Sequence, residues 1–459
     1  MRSAPVLAVV LATLSASALS ARAERASWHG TLNTDAAATD NVFSGSDSAS
    51  REVDLFFQIR PGLMFTYGSP RMLQELSADL EILDYTRHSD EPSVSARGGW
   101  RSVFVPGPRS EASLSVAAST AQLAGITSRS TPDESVVQLQ PTGNLRVMAA
   151  DVGESMSYVA SREWNIGQSV FARWNKTDDE AMDPTIVESA EAGLTLTAER
   201  SFVNNSFGLE LGGSVLRMER VAPVGAEMGS RLERQIVPRA RLQWRHDIDK
   251  YLSTSVDGGA AYVIPYGTDP YNPGAMDRHA GLFPIAGVQG AYTDTWGLAT
   301  LSFRRDVSPN MLIAQNTVND SAILTAAVPL PWLNEGHRLS PRFVGMGVVG
   351  YQRTKLIDTV SDDLASSFKA ARIDVGVMYT PRPGLSYGAR YEFMYQTGDT
   401  AAAGNLPGFW RNTIFATLAL RYPAEVAAEM PKRRKNSMRA DKSDQNTLGA
   451  EPVVPGGLD

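Results

Sequence analysis

From Leu385 to Gln396 the chain alternates strictly. One face reads Leu385, Tyr387, Ala389, Tyr391, Phe393 and Tyr395, and the other reads Ser386, Gly388, Arg390, Glu392, Met394 and Gln396. Period two is the signature of a β-strand, and aromatic residues spread along one whole face ask for an apolar environment on that side. The same register returns in Ile236, Pro238, Ala240, Leu242 and Trp244 against Val237, Arg239, Arg241, Gln243 and Arg245. Similar runs begin near Trp28, Leu55, Leu73, Gly98, Glu111, Leu145, Trp164, Glu188, Asn205, Leu252, Phe283, Trp296, Ser321, Arg342, Arg372 and Trp410. With the first two they make about eighteen strands, each of a length that crosses a bilayer at a tilt.

The connections between these runs alternate in length. Tight turns rich in Gly, Pro, Asn and Asp include Tyr67-Gly68-Ser69-Pro70, Pro106-Gly107-Pro108-Arg109 and Pro381-Arg382-Pro383-Gly384. Between them fall longer polar segments, among them Thr39 to Val53, Gly125 to Glu134, Pro265 to Ala280, Asp306 to Asp320 and Gly398 to Pro407. A meander through a membrane has short turns on one side and long loops on the other, whereas nothing in a soluble sandwich demands that parity. The expected fold is therefore all-β, a transmembrane antiparallel up-and-down β-barrel of about 18 strands. The long connection Pro329 to Ser340 breaks the parity, and sixteen or twenty strands are the alternatives it leaves open.

Composition agrees only once the barrel is considered. Hydrophobic residues make up 43% and the mean hydropathy is −0.19. Past the N-terminal run, no segment reaches the roughly 18 consecutive apolar residues of a spanning helix. A barrel passes this filter unseen, because lumen-facing polar residues dilute the lipid-facing ones. Arg2, the apolar run Ala4 to Leu14 and Ala21-Arg22-Ala23 read as an export signal cleaved after Ala23. The expected organisation is a signal peptide at 1–23, an outer-membrane barrel at 24–422 and a disordered periplasmic tail at 423–459. Both termini are then periplasmic and the long loops extracellular. The last run, Phe409 to Tyr422, resembles the terminal strand read by the barrel insertion machinery, although a tail follows it here.

The chain contains no cysteine, which excludes disulfides, thiolate catalysis and Cys-bound metal. The five histidines, His29, His88, His246, His279 and His337, share no metal-ligand spacing. Gly345 to Gly350 matches the dinucleotide fingerprint in its letters but continues as strand through Tyr351, Gln352 and Arg353, without the helix that would meet a phosphate. Lys432-Arg433-Arg434-Lys435 reads as a solvated charge run in an exported chain and not as a nucleic-acid site. No catalytic residue, metal or cofactor is expected, and the chain is read as a non-enzyme.

The remaining chemistry belongs to the lumen. Strand charges are costly at the lipid face and are expected to point inward. Arg60, Arg239, Arg241, Arg245, Arg342, Arg372, Arg390 and Glu392 are the lumen-lining candidates, interleaved with Glu75, Asp79, Glu81, Glu191, Glu199 and Asp374. They form either a stiffening ion-pair lattice or, at Arg239, Arg241 and Arg245, a positive field for anions.

Thr39-Asp40-Asn41-Val42-Phe43, Asp54-Leu55-Phe56-Phe57-Gln58-Ile59-Arg60-Pro61-Gly62 and Leu242-Gln243-Trp244-Arg245-His246-Asp247 resemble the outer-membrane barrels associated with exopolysaccharide export, of the myxobacterial type. The resemblance implies a pore for polysaccharide, set in outer-membrane lipid and completed by a periplasmic polysaccharide-export protein. The alternatives are a general or substrate-selective porin for small solutes and a structural or adhesive surface barrel. Tryptophan and tyrosine in the lumen would favour sugars, and a constriction with opposed charges would favour a porin.

Overall fold

The computed structural model describes residues 25–41, 52–87, 93–123, 145–179, 186–221, 230–271, 280–294, 297–310, 315–330, 333, 342–357, 367–398 and 408–423. The expected signal peptide, the tail beyond 423, His88, Trp296 and most of Pro329 to Ser340 lie outside them. The strands are β1 (Arg25–Thr39), β2 (Asp54–Ser69), β3 (Met72–Tyr85), β4 (Ser93–Gly107), β5 (Ser110–Leu123), β6 (Leu145–Val159), β7 (Trp164–Asp179), β8 (Ile186–Ser201) and β9 (Asn205–Val221). The second half holds β10 (Arg231–Asp247), β11 (Leu252–Pro265), β12 (Gly281–Asp294), β13 (Gly297–Asn310), β14 (Gln315–Pro329), β15 (Phe343–Leu356), β16 (Ser367–Arg382), β17 (Leu385–Gly398) and β18 (Phe409–Tyr422).

Every strand pairs antiparallel with its chain neighbours, and β1 pairs with β18, from Gly30 opposite Tyr422 to Thr39 opposite Thr413. The sheet thus closes as an 18-stranded up-and-down barrel, without edges. β14 pairs directly with β15, which settles the count at eighteen and makes the segment after Pro329 a connection. Short turns gather at one end. Gly384, at a φ of 78°, occupies the left-handed position of the Pro383-Gly384 turn, where a side chain would be strained. Asp249 caps the turn between β10 and β11, its Oδ1 accepting the backbone N–H groups of Tyr251 (2.6 Å) and Leu252 (2.8 Å). Those two hydrogen bonds hold its carboxyl below the usual carboxylate range.

Several strands start earlier than alternation suggests: β4 at Ser93, β10 at Arg231, β14 at Gln315 and β16 at Ser367. Their extra residues sit toward the long-loop end, where apolar side chains such as Leu232, Val318 and Phe368 are buried and the contrast between a lipid face and a polar face is lost. The outer face carries an apolar band. Leu242, Leu282, Ile414, Trp28 and Phe207 are all more than half exposed on it. Trp164 and Trp174 mark its two limits on β7, about 25 Å apart once strand tilt is allowed for. This is the surface of a membrane-spanning barrel.

The expectation that strand charges all turn inward is corrected at several positions, Asp84, Arg146, Lys176, Glu188, Arg217, Glu219 and Arg234 among them. Glu154 points outward between Leu114 and Val170, and Arg305, Asp320, Arg353 and Lys369 share one outward row near the long-loop end. Most of that row lies at the height where headgroups replace hydrocarbon, which lowers the cost of charge.

The barrel wall is not uniform. β12 and β13 pair from Asp294 opposite Gly297 only as far as Ala286 opposite Arg305, although both strands continue. Beyond that point β13 and β14 leave the cylinder and fold into it. Val307 and Val318 lie on the face that lower down looks at lipid, yet Val318 is wholly buried against Val237, Ala261, Val263 and Ile285, which belong to the inner wall of β10, β11 and β12. Ile357, just past β15, joins the same cluster, and its N–H donates to the carbonyl of Asn316 at 3.1 Å. The segment Asp306 to Asp320, expected to be an extracellular loop, is therefore mostly strand, and its hairpin is tucked into the lumen.

Candidate functional site

The tucked hairpin has two faces of opposite chemistry. Its outer-parity face is sealed to the wall by the apolar cluster and by Asn316, whose Nδ2 donates to Oε1 of the buried Gln235 on β10. Its other face turns inward and carries amides and hydroxyls, of which Ser308 and Asn319 are half-buried and Thr317, Gln352 and Thr354 are buried. Asn319 Nδ2 donates to Ser308 Oγ (2.7 Å) and Thr317 Oγ1 (3.0 Å). Asn319 Oδ1 accepts from Thr354 Oγ1 (2.7 Å) and from Gln352 Nε2 (3.2 Å). These bonds tie β13, β14 and β15 into one rigid polar plate. A hairpin lying against the inner wall subtracts its own thickness from the lumen, so the plate forms a constriction.

Ion pairs brace the plate from β10. Arg241, buried, places Nε 3.2 Å from Asp257 Oδ2 on β11 and Nη2 3.5 Å from Asp306 Oδ2 on β13. It reaches across β12 because residue 287 is glycine. A Cβ there would stand 2.3 Å from Asp257 Oδ1, so any side chain would displace the carboxylate. Arg304 Nη2 completes the group at 2.8 Å from Asp306. Arg239 donates to Thr195 Oγ1 at 3.3 Å and stands 3.9 Å from Glu210, and Arg245 lies 3.4 Å from Asp247. The three arginines expected to form a bare positive field each have a carboxylate beside them.

A second charged region lines β16, β17 and β18. Arg372 pairs with Glu392 (2.7 Å) and Asp374 (3.1 Å), Arg390 pairs with Asp374 (2.8 Å), and the fully buried Arg411 lies 3.7 Å from Glu392. The Arg390 guanidinium also stacks over Phe415, 3.9 Å from the ring centroid. Arg60 continues the pattern on β2, pairing with Asp35 on β1 at 2.6 Å, and Asp35 also accepts from Thr417 Oγ1 at 2.6 Å. The structure thus brings Arg372, Arg390 and Glu392 together and sets Arg60 nearby through β1. It places Arg239, Arg241 and Arg245 on β10. Arg342 stands apart in the bend before β15, its carbonyl accepting the N–H of Thr380 at 2.7 Å.

Two residues of the first resembling stretch, Asp40 and Asn41, bond across the closure of the wall. Asp40 accepts the backbone N–H (2.8 Å) and side-chain amide (2.7 Å) of Asn412, and Asn41 donates to the carbonyl of Trp410 at 3.0 Å, all across the β1–β18 seam. Asp54 accepts from Leu55 N–H and from Thr86 Oγ1, both at 2.7 Å. At the tight-turn end His29 is wholly buried. Its Nδ1 donates to the Pro423 carbonyl at 3.1 Å, and its Nε2 lies 2.9 Å from the Ser27 hydroxyl. That lock joins β1 to the chain just beyond β18, and the weak alternation of the first strand gave no sign of it. Gly345 to Gly350 is continuous β15, and no group of metal-binding side chains occurs among the described residues.

Aromatic placement is lopsided. The described tryptophans on strands, Trp28, Trp100, Trp164, Trp174, Trp244 and Trp410, all lie on the outward register, while Tyr85 is the one strand tyrosine among the described residues that turns inward, where it is buried against Phe56.

No family model matches the chain, and no curated protein does. Among solved structures it is similar to the alcaligin outer membrane receptor FauA of Bordetella pertussis, at 9% identity over 86% of this chain and 76% of that one, with a TM-score of 0.44. It is also similar to OpdO of Pseudomonas aeruginosa (10% identity, 86% and 97% covered, TM-score 0.43). A third is OccK2 (OpdF) of the same organism (12% identity, 87% and 98% covered, TM-score 0.43). Likeness at this level says nothing of activity, and the barrel is established by its own closed ladder.

Proposed function

We propose that the protein is a passive outer-membrane channel for small hydrogen-bonding solutes, narrowed by the β13–β14 hairpin. The observation that carries this reading is the half-buried pair Ser308 and Asn319 standing inside the barrel, held in place by the buried Thr317, Gln352 and Thr354. Preset donors and acceptors replace the water a small polar solute sheds on entering a constriction. The paired charges of β10 and of β16 to β18 add a field without a large excess of either sign, which suits neutral and zwitterionic solutes. The apolar band and its aromatic limits support placement in the outer membrane, with the tight turns periplasmic.

A conduit for exopolysaccharide draws less support. Sliding sugars are held by stacking on exposed aromatic rings, and here the described tryptophans lie on the outward register. The experiment is liposome swelling with the purified full chain. Small neutral and zwitterionic solutes should enter at rates that fall steeply with size, and deletion of the gene should leave surface polysaccharide unchanged. Loss of surface polysaccharide together with no entry of small solutes would overturn the reading in favour of the polymer conduit. Closure to every solute would favour a structural barrel.

A further inference from the structure

Where the hairpin leaves the wall, the outer surface acquires a notch. Its floor is the outward row Arg305, Asp320, Arg353 and Lys369, paired in register across β13 to β16, with Lys355 one step above, opposite Val318. One rim is the part of β12 beyond Ala286, where Leu282 is 69% exposed. Tyr351, exposed on β15 just below Arg353, sets the level at the aromatic limit of the band.

The charge in this notch is unbalanced. Asp320 lies 3.6 Å from Arg305 and stands opposite Arg353 in register, and Arg353, Lys355 and Lys369 form no ion pair among the described residues. Arg353 Nε is buried and has no hydrogen-bond partner. Other outward cations at this end include matched ones, although Arg234, opposite Arg217, forms no ion pair among the described residues. Lys176 stands opposite Glu188, and Arg217 pairs with Glu219 at 2.5 Å. Four cations against one carboxylate on the outward register at headgroup height, beside an exposed apolar rim, are complementary to an amphiphile with an anionic head.

We infer that the notch binds one phosphorylated lipid of the outer leaflet. Arg353, Lys355 and Lys369 hold its phosphate, and an acyl chain lies along Leu282 and Pro284. The inference rests on the membrane reading above. Its test uses the full chain in detergent micelles, with bisphosphorylated lipid A, its dephosphorylated form and inorganic phosphate as probes. The phosphorylated lipid should bind, the dephosphorylated lipid should bind at least about 10-fold more weakly, and inorganic phosphate at the same concentration should not compete. At about 1 kcal/mol for each surface cation, the combined R353A, K355A and K369A variant should lose on the order of 100-fold in affinity. Changing Lys176 and Arg217 to Ala should not alter it. Equal binding of the two lipids by the unaltered chain, or competition by free phosphate, would overturn the site whether or not the triple variant folds. Insertion into phosphatidylcholine vesicles, measured separately, tells the two claims apart. A chain that inserts but does not discriminate loses only the notch, and one that fails to insert loses the membrane reading beneath it.

Discussion

Two sides of the lumen are built on opposite principles. On the β16–β18 side the inner face keeps to the cylinder and is cross-linked by charge, with Arg372, Arg390 and Arg411 laced to Asp374 and Glu392. On the β10–β12 side the inner face turns apolar at Val237, Ala261, Val263 and Ile285, and a hairpin from the neighbouring wall lies down on it. The first side resists deformation because each charge is fixed by its partners. The second is a joint, held by hydrophobic contact and by a few polar clasps, and in the proposed channel it would set the width.

The sharpest way to break the comparison is to charge the joint. Val318→Asp places a carboxylate where no side chain is exposed. An uncompensated charge there should cost at least about 3 kcal/mol and release the hairpin while the barrel stays closed. Intact heat-modifiable migration on gels together with faster solute entry is the expected pair of results, and unchanged entry would show that the hairpin does not gate width.

On the other side, Glu392→Leu removes a carboxylate partner of the fully buried Arg411 and of Arg372. Breaking a buried pair from one end should lower barrel stability by about 3 kcal/mol, read as a lower unfolding temperature, with little change in permeation. A large gain in permeation with no loss of stability would reverse the roles assigned to the two sides.

The smallest effect belongs to neither side. The Asp249 carboxyl is lowered in the fold, so the stability it contributes is present above its unfolded value near 4 and is lost as pH falls through the folded one. Asp249→Ala should therefore weaken protection of the turn amides at neutral pH and make no difference in strong acid. An equal effect at both pH values would contradict the cap.

The barrel was legible in the sequence because lipid on one side and water on the other impose period two on every strand. The inward positions of Arg60, Arg239, Arg372 and Glu392 follow from the same alternation. The tuck was not legible. Val307, Val318 and Ile357 are apolar at outward positions, and a residue buried against the inner wall leaves the same mark as one facing lipid. The polar residues between them, Ser308, Asn316 and Asn319, then made the segment read as a loop. Pairing was equally hidden. Arg241 looks like a free cation until Gly287 and the bend in β13 bring Asp257 and Asp306 within its reach.

Single-channel conductance in a planar bilayer tests the constriction most directly. The variant replaces residues 307–318 with an Asn-Gly turn joining Asp306 to Asn319. At the same salt concentration it should conduct several-fold more than the unaltered chain and lose its discrimination between small and larger solutes. A folded variant whose conductance is unchanged would show that the narrowest part of the channel lies elsewhere.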